Sequence, residues 1–176
     1  MFPILSMIVL SPFLGEILIT FLGKKRPKLV RVVATITTSI SLLLSFYLLF
    51  IFDKQLSGYQ FSEKINIVES LGLSYTVGID GMGLALVLLT AIIIFCGVFA
   101  SWTIKERDHE FYGLLLVLVT GVFGVFVSLD LLFFFLFYEL SVLPMYLLIG
   151  IWGSSKKIPP KGPRAKMILD LGLGKK

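Results

Sequence analysis

The chain has one cysteine, Cys96, and one histidine, His109, in 176 residues. A lone cysteine closes no internal disulfide, and one cysteine with one histidine falls short of a four-ligand zinc site. Charge is scarce as well: Asp, Glu, Lys and Arg make up 15% of the residues, against about 25% in a soluble domain. There is no Walker motif, no CxxC and no pair of histidines to hold haem, so the chain carries no redox group of its own. Gly78, Gly81 and Gly83 miss the GxGxxG spacing and open an apolar run, which excludes a dinucleotide site. Apolar surface is what the sequence has in excess. Hydrophobic residues reach 57%, sixteen residues are phenylalanine, and the mean hydropathy is +0.97. A water-soluble sphere of this size cannot hide that much. The net charge of +5 sits in connections between apolar runs, so it does not point to nucleic acid. Disorder, a disulfide scaffold and nucleic-acid binding are set aside, and the composition is that of a membrane protein.

A spanning helix needs about 20 mostly apolar residues. Five runs qualify: Phe2–Leu22, Val32–Phe52, Gly81–Ile104, Phe111–Leu129 and Leu131–Trp152. Three of them hold no charge, and the first and fifth hold one glutamate each, Glu16 and Glu139. The first run has its basic cluster after it rather than before it, so it reads as a retained span and not a signal peptide. Lysine and arginine then set the orientation. Fourteen lie in the first connection (Lys24 to Arg31), the third (Lys105, Arg107) and the tail, and only Lys54 and Lys64 lie on the other side. The expected fold is all-α with five transmembrane helices and the amino terminus outside. Its parts are residues 1–52, two spans with a basic cytoplasmic loop; 53–80, an external segment; 81–153, the remaining three spans; and 154–176, a basic cytoplasmic (or matrix-side) tail.

Within 53–80, Leu71, Leu73, Tyr75, Val77 and Ile79 alternate with smaller or polar residues, which is strand periodicity. Phe61, Ile65 and Ile67 supply a partner strand, with Glu63-Lys64 placed at the turn, giving a small external β-hairpin between the second and third helices. The fourth connection, Ser128-Leu129-Asp130, is so short that the helices it joins must be adjacent and antiparallel. Asp130 fits the N-cap of the fifth helix. The alternating charges from Lys105 to Glu110 read as a solvated turn, and His109 as an exposed side chain within it. Gly113, Gly121 and Gly124 suggest close helix contact in the fourth span.

Glu139 is the position with most to say. It lies about 12 Å inside the fifth span at ~1.5 Å per residue, near the bilayer midplane. An ionised acid at that depth costs roughly 2.5–3.5 kcal/mol on insertion scales and is usually partnered or functional. Desolvation disfavours the charged form of a carboxyl and a nearby cation favours it. A carboxyl held between those influences switches when the cation moves, which is what a proton relay requires. The bland alternative is a neutral acid hydrogen-bonded to a neighbouring helix. Pro144 cannot donate to the Leu140 carbonyl and is expected to kink the helix beside Glu139. Leu143 and Tyr146 share the Glu139 face, where Tyr146 could line a polar path or simply pack. Glu16, the second intramembrane acid, lies about two turns from the cytoplasmic edge, within reach of a snorkelling lysine or a partner subunit.

Two stretches resemble a known family. Tyr75-Thr-Val-Gly-Ile-Asp-Gly-Met-Gly-Leu84 is similar to the segment opening the third helix of the antiporter-like subunits of respiratory complex I. The run from Leu131 to Gly153, with Glu139 five residues before Pro144-Met145 and a closing Trp152-Gly153, is similar to the fifth helix of one of them. The nearest resemblance is to the M subunit of proton-translocating bacterial NADH:quinone oxidoreductase, equivalent to mitochondrial subunit 4, over Met1 to about Ser155. The resemblance implies that Glu139 is the family's proton-relaying glutamate, paired in full-length members with a lysine on a seventh helix. It also implies a subunit of the membrane arm that couples electron transfer from NADH to quinone with proton pumping. NADH, FMN, iron–sulfur clusters and quinone then belong to the wider complex, and none is bound by this chain. The implied partners are other membrane subunits, the lipid bilayer and protons, with no nucleic acid. The implied location is the bacterial inner (plasma) membrane, or alternatively the mitochondrial inner membrane. An Mrp-type cation/proton antiporter subunit, a hydrogenase membrane subunit and a remnant without transport role are the alternative readings. A sixth helix would begin near Ala165-Lys166-Met167, but Met167–Gly174 is too short to span. A truncated or frameshifted copy, or one piece of a split subunit, is therefore expected.

The charge bias makes a direct prediction. A reporter active only outside the cell should work when fused after Gly58 and fail when fused after Lys28. The reverse pattern would overturn the orientation.

Overall fold

The computed structural model describes residues 3–22, 27–53, 55–56, 58–68, 73–104 and 107–153. The expected tail, 154–176, and Leu71 of the expected strand lie outside the described residues. Five helices form: α1 (Ile4–Leu22), α2 (Pro27–Ile51), α3 (Gly81–Ala100), α4 (Asp108–Val127) and α5 (Leu131–Trp152). Each is long and apolar enough to cross a membrane. Helices suit that solvent because they satisfy their own backbone groups. Two strands, β1 (Gln60–Val68) and β2 (Leu73–Ile79), pair antiparallel between α2 and α3.

Several boundaries differ from the apolar runs, each for a local reason. α2 begins at Pro27, a residue suited to the first helical turn. After α3 the backbone tightens into a 3-10 turn at Ser101–Thr103. α4 starts at Asp108 because Asp108 and Glu110 place negative charge in its first turn, where the helix dipole favours it. The strand register also departs from expectation. Glu63 and Lys64 stand opposite Val77 and Thr76 inside the ladder, so they are not at a turn. A register shift between Gln60 and Glu63, with Phe61 in the left-handed region at φ 54°, marks a bulge that re-aims the strand.

α4 is the hub. It packs against α1 and α5 most extensively and also touches α2 and α3. Half of the α4 span is buried but only 11% of the α5 span, so α5 lies at the edge of the bundle. One apolar cluster joins Leu5, Ile8, Leu48, Val77, Ile79, Val87, Phe123 and Val127 near the strands. A second joins Ile19, Val30, Ala34, Val98, Tyr112 and Leu116 at the opposite end. Between α1 and α2, the Ser11 and Ser41 hydroxyls bond at 2.8 Å while Gly15 faces Thr37.

Three acids finish helix starts. Asp80 accepts from Gly83 N at 2.7 Å for α3, and Asp130 accepts from Leu132 N at 2.9 Å for α5, as its position in the sequence suggests. The third cap comes from far away in the chain. Glu63 accepts from Leu5 N at 3.0 Å and Ser6 N at 3.3 Å, and from the Ser6 hydroxyl, at the free start of α1. Tyr75 O–H lies 3.3 Å from the same Ser6 hydroxyl. On the other side of the sheet, Leu129 N donates to Thr76 O at 2.9 Å, and the Tyr75 ring meets Phe133 edge-on. The two strands therefore tie together α1, α3 and the α4–α5 connection.

The expected glycine contact is real at two of three positions. A Cβ on Gly121 would stand 2.7 Å from Ser141 N and 2.8 Å from Phe137 O, and one on Gly124 would enter the Phe137 ring. Gly113 has open space instead. Gly121→Ala should therefore force α4 and α5 apart and cost about 1–3 kcal/mol, as overpacking does. Gly113→Ala should be neutral or stabilising by up to ~1 kcal/mol, from helix propensity. Thermal unfolding midpoints of the two variants in one detergent would check the contrast.

Candidate functional site

α5 carries Glu139 on an exposed face, in a groove of about 390 Å³. Leu136, Leu140, Leu143 and Pro144 of α5 line it with Leu114 and Val117 of α4. Among the described residues none forms a hydrogen bond or ion pair with the Glu139 carboxylate. The helix is continuous through Pro144, which is the one buried residue of α5. Proline thus seats α5 on α4 next to Glu139 without ending the helix. Leu143 lines the groove as its spacing implies. Tyr146 does not: it is 76% exposed and outside the groove.

Glu16 lies elsewhere, on α1. Its carboxylate accepts from the Thr20 hydroxyl at 2.8 Å, one turn on. It borders a larger cavity of about 610 Å³ between α1, α4 and α5, which also takes in Arg107, His109, Glu110 and Gly113. Arg107 forms an ion pair with Glu110, and His109 Nε2 stands 3.6 Å from the other Glu110 oxygen. Glu16 and Glu139 are thus not brought into one site. Their two hollows are nonetheless adjacent, because Leu114 and Val117 line both. Among the described residues no three His, Cys, Asp or Glu side chains gather in a way that would hold a metal ion.

Sequence reasoning missed the best-built polar cluster. Arg31 belongs to α2 rather than to a loop, and its guanidinium reaches Asp108 Oδ2 at 3.1 Å, Ile104 O at 3.0 Å and Trp102 O at 3.1 Å. Asp108 is 8% exposed, so it is not part of a solvated turn. The alternating signs around Asp108 hid it. The available signal was one arginine set inside an apolar run and one acid three residues before the start of another. At the far end, burial pushes the Tyr75 phenol above its ordinary range, the Ser6 hydrogen bond opposes this, and the Glu63 charge adds to it.

The chain as a whole has recognisable relatives. No protein-family model matches the chain. A protein of Nostoc sp. named NAD(P)H-quinone oxidoreductase chain 4 1 is 38% identical over 162 residues, covering 89% of this chain and 29% of its own length. The chloroplastic NAD(P)H-quinone oxidoreductase chain 4 of Chara vulgaris is 35% identical over 161 residues, 89% of this chain and 32% of its own. The chain is homologous to NAD(P)H-quinone oxidoreductase chain 4. It spans less than a third of the length of these chain 4 relatives. Respiratory complex I of Thermus thermophilus contains a chain that superposes with a TM-score of 0.69 at 24% identity, over 84% of this chain and 29% of that one. An archaeal membrane-bound sulfane sulfur reductase gives 0.70 at 18% identity, over 83% and 23%. These two likenesses show that the chain 4 homologue has the fold of helices found in respiratory membrane complexes.

The Arg31 cluster makes a prediction for this homologue. Arg31→Ala strands the Asp108 carboxylate among buried groups and should cost on the order of 3 kcal/mol. Arg31→Lys should recover only part, since an ammonium cannot span three acceptors with the guanidinium's planar fork. Thermal unfolding midpoints would rank the three proteins, and equality of wild type and Arg31→Ala would overturn the assignment.

Proposed function

We propose that this chain serves in the proton-translocating membrane arm of an NADH:quinone oxidoreductase, with Glu139 as its proton-relaying group. The observation that carries the reading is the placement of Glu139. A carboxyl near the middle of a membrane span, open on one face and without a described partner, is costly unless another element brings a cation to it. α5, with 11% of its span buried, offers its outer face for such an element. The family resemblance supplies the cation as a lysine from a further helix. In this reading Glu139 accepts a proton when the cation withdraws and releases it when the cation returns, so motion of one charge drives motion of another. Pro144 fixes the depth and facing of Glu139 against α4. Glu16 is a second relay position nearer the cytoplasmic edge.

The lysine and arginine bias supports an amino terminus outside and the two strands on the outer surface, while the bacterial inner membrane location follows from the family resemblance. Electron transfer, and the NADH, FMN, iron–sulfur clusters and quinone it uses, belong to other subunits in this reading. Identities of 35–38% to quinone oxidoreductase chains favour it over the antiporter and hydrogenase readings.

The test is NADH-driven acidification of inside-out membrane vesicles containing the chain. Glu139→Gln should lower the initial rate at least about tenfold, in line with loss of an acid–base group, and Glu139→Asp should keep part of it. Undiminished acidification in Glu139→Gln would sink the proposal.

A further inference from the structure

The cavity beside Glu16 has an order to its charges. Glu16 precedes the end of α1 at Leu22 by six residues, about 9 Å of helix. His109 and Glu110 sit in the first turn of α4, and Arg107 immediately before it. The basic and titratable groups therefore stand at the mouth and a lone acid stands deeper. Among the described residues, α1 brings Glu16 with Thr20 to this space, α4 brings Arg107, His109 and Glu110, and α5 brings Leu147 and Ile151. A space of about 610 Å³ is large enough for many waters at ~30 Å³ each, and Glu16, Thr20, Arg107, His109 and Glu110 are the polar groups that would meet them. Beyond Glu16 the next hollow is the one that contains Glu139, separated by the α4 turn of Leu114 and Val117.

We infer that this cavity is a proton-uptake vestibule, in which His109 loads Glu16 from cytoplasmic water for delivery to Glu139. The inference rests on the relay reading of Glu139. His109 lines this space at the start of α4, where its imidazole can take a proton from water and pass it on. The His109 imidazole takes a proton from water and becomes an imidazolium, which Glu110 stabilises at 3.6 Å. Transfer through cavity water to Glu16 returns a neutral imidazole and makes a neutral carboxylic acid. The neutral acid is the form that sits in the membrane at lower cost. Arg107 holds Glu110 in place beside His109. Leu114 and Val117 form an apolar partition, and the proton passes to the Glu139 carboxylate when that turn is wetted.

Two measurements on membrane vesicles containing the chain test this. In a Cys96→Ser background, a charged, membrane-impermeant thiol reagent should modify Gly113→Cys or Leu147→Cys about tenfold faster than lipid-facing Ile93→Cys, since only a hydrated thiol ionises. Equal slow labelling would mean a dry or helix-covered space and would overturn the vestibule. In the acidification assay, Glu16→Gln and His109→Gln should each lower the rate about tenfold at pH ~8 and much less at pH ~6, where bulk protons are abundant. Glu16→Asp should recover part of the loss, and variant abundance in the membrane reports folding. A pH profile unchanged in both variants, while Glu139→Gln still abolishes acidification, would remove the vestibule and leave the relay standing. Loss of effect in Glu139→Gln would remove the relay itself.

Discussion

The contact between α4 and α5 sets where Glu139 stands, because Gly121 and Gly124 leave no Cβ where the Ser141 backbone and the Phe137 ring lie. In hydrocarbon there is little hydrophobic force between helices, so close packing and dipole contacts must supply the association. The glycine seam lets α5 lie flat on α4 at its middle, and Pro144 extends that contact toward the other end. Glu139, five residues before the proline, is then held at a fixed depth on the open side. Without the seam, α5 has little else to hold it.

The remaining polar groups are satisfied at the two ends of the bundle. Asp80, Glu63 and Asp130 each absorb free N–H groups at helix starts on the strand side. On the opposite side, Arg31 gathers two orphan carbonyls and Asp108, closing the gap between α3 and α4. Deeper inside, beside the Ser11–Ser41 bond between α1 and α2, threonine and serine hydroxyls of α2 return to their own helix one turn back. This leaves Glu139 as the described acid within the bundle whose surroundings are wholly apolar.

Much of this was legible in the residues. Five apolar runs of spanning length gave five helices, since period and length suffice when the solvent is lipid. Asp130 announced its cap because the cap precedes an apolar run directly, and the Tyr75–Ile79 alternation announced a strand. The register is not legible: Glu63-Lys64, a charged pair between apolar residues, has the pattern of a turn. Glu63 sits in the ladder instead because the Phe61 bulge turns it toward α1. Arg31 and Asp108 are 77 positions apart, and no local pattern couples residues at that distance. His109 read as a solvated side chain because its cavity exists only once α1, α4 and α5 are assembled.

The Glu63 cap carries a consequence for biosynthesis. The carboxylate that completes α1 is encoded 57 positions after Ser6. At roughly 5–20 residues per second, several seconds of translation separate the two. For that interval the amino end of α1 has its free N–H groups met by water or headgroups alone. α1 and α2 must therefore enter the bilayer as an unfinished pair, and the strand that follows fastens the first helix afterwards.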